Sequence, residues 1–143
     1  MGGRAVEREE APALLISSTS WTADEDFGLL LEALRLLDAR LEADAAERSS
    51  SAARGAPALR VVAVITGKGP LKAHYEERMR RSPMRRVAVA TMWLEPQDYP
   101  ALLGSASLGV CLHTSSSGLD LPMKVPQRAP APLRSAQLPI ATR

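Results

Sequence analysis

Apolar and polar positions alternate along this chain in two distinct rhythms. Ala13–Ser18 (ALLISS) is a short apolar run ending in hydroxyls and predicts a first strand. Phe27, Leu30, Leu31, Leu34, Leu37 and Leu41 recur at helical spacing and predict a helix with one apolar face. Arg60–Thr66 (RVVAVIT) is β-branched and almost continuously apolar, as expected of a strand buried on both faces. Leu71, Tyr75 and Met79 lie four apart and predict a short helix, which Ser82-Pro83 ends. Arg86–Trp93 (RVAVATMW) alternates more and predicts a third strand nearer an edge. Pro96 and Pro100 mark the start of a short helix with Leu102, Leu103 and Ala106 as its apolar side. Leu108–Leu112 predicts a fourth strand.

The order β-α-β-α-β-α-β predicts an α/β fold, a Rossmann-like parallel sheet with flanking helices. Ligands of such sheets bind beyond the carboxyl ends of the strands. This rule groups Ser17–Thr22, Gly67–Pro70, Trp93–Glu95 and His113–Asp120 on one rim. Thr22 with Glu25 three residues later reads as a capping box for the first helix. Ala46–Ala58, with Ser49-Ser50-Ser51, Gly55 and Pro57, reads as a low-complexity surface loop.

Composition narrows this picture. The 143 residues are enough for one domain of ordinary size. Aromatic residues are only 3%, so a core built from Leu, Val, Ile and Ala is expected. The one cysteine, Cys111, excludes an internal disulfide and is expected in the core. No His, Cys and carboxylate spacing suggests a metal, and no cofactor is expected. No run of roughly 18 apolar residues is present, so no membrane span is expected. The first ten residues lack the apolar stretch of a signal peptide. The chain by itself therefore reads as cytosolic.

The net charge is +2, but residues 126–143 hold Arg128, Arg134 and Arg143 with no Asp or Glu. They contribute +3 and leave −1 for the rest (+2 less +3). The basic balance thus belongs to the tail, and no nucleic-acid partner is expected.

Each rim segment has two readings. Gly67-Lys68-Gly69 either lets backbone and a cation approach a phosphate or is an ordinary strand-to-helix turn. It is neither a Walker loop nor a dinucleotide fingerprint. The Ser17–Thr22 hydroxyls either bind phosphate or cap a helix. His113 reads as a polar rim residue, since no Gly-x-Ser-x-Gly elbow accompanies the nearby serines. His74 reads as a solvated residue on a charged helix face.

Four blocks carry a resemblance. They are Ser17-Ser18-Thr19-Ser20-Trp21-Thr22 with Asp24-Glu25-Asp26-Phe27, Ile65–Leu71, Trp93-Leu94-Glu95 with Asp98-Tyr99, and Leu102–Val125 almost continuously. Over Pro12–Val125 the chain resembles the carboxyl-terminal, donor-binding half of the chitobiosyldiphosphodolichol beta-mannosyltransferases. These are glycosyltransferases of the two-domain GT-B architecture.

The resemblance implies transfer of mannose from GDP-mannose to a dolichol-linked chitobiose, in N-glycan precursor assembly at the cytosolic face of the endoplasmic reticulum. It implies that Ser18, Thr19, Gly67 and Lys68 face the diphosphate. Trp93 and Leu94 would lie near the base. Ser116, Ser117, Gly118, Leu119 and Asp120 would lie near the sugar and diphosphate. No residue of the chain is expected to be catalytic.

Residues 1–11 are expected to be a disordered lead-in. Residues 12–125 are expected to be an incomplete donor domain of about four strands. Residues 126–143, with Pro126, Pro130, Pro132 and Pro139 and no strand or helix period, are expected to be a disordered tail. The family's acceptor domain and the helix expected after Val125 have no counterpart in the sequence. No transferase activity by the chain alone is therefore expected. The alternatives are a non-catalytic GDP- or GDP-mannose-binding protein, a regulatory partner of a mannosyltransferase, or an unstable truncated product.

Overall fold

The computed structural model describes residues 11–50, 59–112 and 134–137, the last four by their backbone alone. The elements run β1 (Ala13–Ser18), α1 (Phe27–Ser50), β2 (Val61–Thr66), α2 (Lys72–Arg81), β3 (Val87–Met92), α3 (Tyr99–Ser105), β4 (Leu108–Cys111) and β5 (Arg134–Gln137). They build a single parallel sheet in the order β3-β2-β1-β4-β5. The predicted α/β class, the parallel sheet and the edge position of β3 all stand. The fifth strand has no periodic signal of its own, because Arg-Ser-Ala-Gln is not strand-forming in composition. Its backbone pairs with the side of β4 that β1 leaves open, from Leu108↔Arg134 to Cys111↔Gln137.

The central strand is β1. It pairs with β2 from Ala13↔Val61 to Ser18↔Thr66, and with β4 from Leu15↔Leu108 to Ser17↔Val110. The chain thus walks outward through β2 and β3, then returns to the other side of β1. That reversal is the switch point at which parallel sheets open a crevice. Helices α1 and α2 share one face, where Phe27 meets Tyr75, and the right-handed crossover rule assigns α3 to the other.

The core lies between the sheet and α1, where Leu30, Leu31 and Leu34 meet Ala63, Ile65 and Val87. It is more aromatic than the composition suggests. Trp21 and Phe27 are both fully buried with ring centroids 4.6 Å apart, and Tyr75 of α2 stands edge-on to Phe27 at 5.0 Å. Three of the five aromatic residues in the sequence thus occupy one cluster. Trp21 takes a left-handed backbone with φ 53°, which a side chain of this size adopts only when its surroundings hold it there.

Helix α1 extends past the predicted boundary. Residues 46–50, expected in a loop, continue the helix, because Ala45, Ala46, Glu47 and Arg48 all favour it. Its terminal serines turn their hydroxyls back onto the helix, Ser49 to the Ala45 carbonyl at 2.9 Å and Ser50 to that of Glu47 at 2.8 Å. Asp38 of α1 accepts hydrogen bonds from the backbone N–H groups of Arg86 (2.6 Å) and Val87 (2.9 Å). Arg86 in turn bonds Glu42 at 2.6 Å, so α1 is fastened to the start of β3. Cys111, expected in the core, is only half-buried, because β4 presents Val110 rather than its neighbour to the interior. His74 is exposed, as expected, and its ring stands edge-on to Tyr75.

No helix among the described residues is long and apolar enough to cross a membrane.

Candidate functional site

Above the carboxyl ends of β1, β2 and β3 lies an open cleft of about 470 Å³. The first strand's end supplies Ser18, Thr19 and Ser20, the second's Thr66, Gly67 and Lys68. The far wall comes from Trp93, Leu94 and Pro96 after β3, and from Tyr99 at the start of α3. All six described residues expected at a donor site, namely Ser18, Thr19, Gly67, Lys68, Trp93 and Leu94, therefore line one cavity. Ser116, Ser117, Gly118, Leu119 and Asp120 lie outside the described residues, as does His113.

The loop after β1 is organised around a buried acid. Glu25 is 3% exposed, and its Oε2 accepts from the Thr19 hydroxyl and from the Ser20 N–H, both at 2.6 Å. Thr19 Oγ1 also accepts from the Trp21 N–H at 3.0 Å. The predicted capping box is replaced by this arrangement. Helix α1 begins at Phe27, and Asp26 Oδ1 accepts from the Leu29 N–H at 3.3 Å in the capping role. Glu25 then lies one residue before the cap and reaches back into the loop.

The two glycines of Gly67-Lys68-Gly69 have a specific structural cause. A Cβ on Gly67 would lie 1.8 Å from the Thr19 carbonyl oxygen, and one on Gly69 1.7 Å from that of Ser20. Gly67 also has φ +137°, a backbone that side-chain-bearing residues rarely take. The β1 and β2 loops are thus pressed backbone to backbone, and the Leu71 N–H donates to the Trp21 carbonyl at 3.0 Å across the same seam. Both glycines are accounted for by this packing.

The hydrogen bonds already made define what chemistry is left. The N–H groups of Thr19, Ser20, Trp21 and Gly67 donate to Thr66 O, Glu25 Oε2, Thr19 Oγ1 and Met92 O respectively. The Thr19 hydroxyl donates to Glu25. These groups do not form the anion cradle that a glycine- and serine-rich rim suggests. They hold the loops, and Thr19 and Gly67 contribute to the cleft as wall.

The cation of the cleft is Lys68. Its ammonium lies 4.1 Å from the centroid of the Trp93 ring, a cation–π contact. Trp93 is 53% exposed, an unusual position for an indole unless its face is used. In the same cleft, Tyr99 Oη is hydrogen-bonded to Ser18 Oγ and lies 2.8 Å from Thr66 Oγ1, while Ser18 Oγ and Thr66 Oγ1 are 3.0 Å apart. A positive charge, an exposed aromatic plane and a hydroxyl cluster therefore converge on one crevice. Such a set suits a ligand that joins an anion, a flat ring and a polyol.

Ser20 lies in the predicted Ser17–Thr22 rim, whereas Glu25 as the loop's organiser and Tyr99, Thr66 and Pro96 as cleft residues were not expected. Thr66 had a signal, since it is the last residue of a buried strand. Tyr99 stood only in a block that carries the family resemblance, because it reaches the cleft through the fold of the segment after β3.

No protein-family profile matches the chain. Individual relatives do. It is 54% identical over 120 residues, 82% of the chain, to the UDP-glycosyltransferase TURAN of Arabidopsis thaliana. It is 52% identical over 123 residues, 86% of the chain, to the human chitobiosyldiphosphodolichol beta-mannosyltransferase. The corresponding Dictyostelium discoideum protein is 40% identical over 120 residues. The chain spans about a quarter of the length of these relatives, 26% of TURAN and 24% of the human protein. Its sheet and cleft are thus homologous to one segment of the chitobiosyldiphosphodolichol beta-mannosyltransferases and the related glycosyltransferase TURAN.

Proposed function

We propose that this cleft binds the nucleotide sugar GDP-mannose and serves the donor side of mannose transfer to a dolichol-linked chitobiose. The observation that carries the reading is the Lys68–Trp93 pair at the carboxyl ends of β2 and β3, in a chain homologous to beta-mannosyltransferases. Lys68 supplies the charge for the diphosphate. The guanine base lies against Trp93 and Leu94, whose apolar surfaces form the far wall. Ser18, Thr19 and Gly67 shape the wall on which the diphosphate rests. We assign Ser116, Ser117, Gly118, Leu119 and Asp120, outside the described residues, to binding of the sugar and diphosphate by their resemblance to the family.

On this reading the sheet is part of the donor domain of a two-domain GT-B enzyme. It works beside an acceptor-binding part or a partner mannosyltransferase, at the cytosolic face of the endoplasmic reticulum. Donor and acceptor must be held in one geometry for transfer, so binding at this cleft is its separable contribution.

Isothermal titration calorimetry with GDP-mannose and GDP tests the proposal. Both bind the intact chain, and Lys68→Ala weakens both by about ten- to a hundredfold, the worth of one charge-assisted contact. Absence of binding, or affinity unchanged in Lys68→Ala, overturns it.

A further inference from the structure

Three hydroxyls meet in the cleft: Ser18 at the end of β1, Thr66 at the end of β2 and Tyr99 at the start of α3. They form a closed triangle in which every pair is hydrogen-bonded. Each hydroxyl carries one proton and two acceptor lone pairs. Three contacts among three hydroxyls consume three protons. Thr66 Oγ1 lies in addition 3.5 Å from the Ser17 carbonyl, a further acceptor competing for the same proton. The triangle therefore has no O–H left to give, and what it presents to the cleft is oxygen lone pairs.

That polarity has a chemical meaning. A phosphate oxygen is an acceptor and gains nothing from an acceptor wall. A sugar hydroxyl is a donor and does. The charge of Lys68 is held at the Trp93 face, so the anionic and the polyol requirements fall on different groups of the cleft.

We propose that Ser18, Thr66 and Tyr99 form a subsite that accepts hydrogen bonds from sugar hydroxyls of the nucleotide sugar, and that Tyr99 is the specificity-determining residue that completes it. This rests on the nucleotide-sugar reading of the cleft and revises it at one point: Ser18 serves the sugar, not the diphosphate. Replacing Tyr99 by phenylalanine leaves two hydroxyls and one contact between them. One acceptor oxygen of the wall is then lost, and the two remaining protons go to the Ser18–Thr66 contact and to the Ser17 carbonyl.

The test is calorimetry on the intact chain with GDP, 2′,3′-dideoxy-GDP, GDP-mannose and inorganic pyrophosphate. Either GDP binds about tenfold tighter than its dideoxy analogue, which assigns the subsite to the ribose, or GDP-mannose binds about tenfold tighter than GDP, which assigns it to the hexose. In Tyr99→Phe that difference falls to about twofold, while pyrophosphate, held by Lys68, binds no more weakly than before. Ser18→Ala reduces the same sugar discrimination. Equal affinity across both ligand pairs in the unaltered chain overturns the subsite, as does discrimination that survives Tyr99→Phe. Neither result touches the binding of GDP itself, whereas failure of GDP to bind overturns the nucleotide-sugar reading and the subsite together.

Discussion

The Lys68 ammonium rests 4.1 Å from the centre of the Trp93 indole, and the two residues come from loops that follow different strands. The chain has only two tryptophans, and they are opposites: Trp21 is fully buried and Trp93 is 53% exposed. Iodide should therefore quench one emission component and spare the other. Trp93→Phe abolishes the quenchable fraction, and GDP added to the intact chain protects it. A quenchable fraction that persists in Trp93→Phe would contradict this arrangement.

The glycines of the β2 loop separate packing from propensity. Gly67→Ala and Gly69→Ala drive a Cβ into the backbone of the β1 loop and should each cost about 2–4 kcal/mol in unfolding free energy. Gly104, inside α3, has nothing within 4 Å of a built Cβ, so Gly104→Ala should stabilise the chain by about 0.5–1 kcal/mol. Urea unfolding of the three variants checks both signs at once.

Glu25 anchors the β1 loop by accepting from two buried donors. Glu25→Ala strands the Thr19 hydroxyl and the Ser20 N–H, and a loss of about 2–3 kcal/mol is expected. Glu77, which pairs with Arg80 and Arg81 on the exposed face of α2, provides the contrast. Glu77→Ala should change stability by less than about 1 kcal/mol, as surface pairs do. Equal effects at the two positions would count against the loop network.

Asp38 should behave as a structural acceptor rather than as half of an ion pair. Its Oδ1 takes two backbone N–H groups at the entry to β3. Asp38→Ala is expected to destabilise by about 1–3 kcal/mol and to raise hydrogen exchange at Arg86 and Val87 first. Exchange that rises uniformly along the chain would show that the contact is not local.

Strands and helices were legible in the sequence where burial imposes a period. Residues 61–66 read as a doubly buried strand because both faces are covered, and α1 shows its stripe because only one face is. The carboxyl-end rim also followed from topology alone, and it correctly collected Ser18, Lys68 and Trp93. What stayed hidden depends on contacts between segments distant in sequence. Tyr99 reaches Ser18 across 81 residues and Thr66 across 33. Gly67 and Gly69 are glycines because of the Thr19 and Ser20 carbonyls, which no local pattern encodes. Thr22 and Glu25 matched a capping box by spacing, yet Glu25 serves the loop before the helix. The β5 strand is set by the open side of β4, not by its own residues.

The central position of β1 also orders events in time. Its carboxyl side and its flank are completed by β4, and Leu14 bonds Ser107, 93 residues later, through both its N–H and its carbonyl. On a ribosome, β1, β2 and β3 emerge long before that partner does. Through this interval β1 is an unpaired edge with apolar residues, the kind of surface that nascent-chain chaperones occupy and that pairs wrongly at high concentration. Contacts of this sequence separation make folding slow. The strand that carries Ser18 into the cleft therefore waits for a partner made 93 residues later before both of its sides are covered.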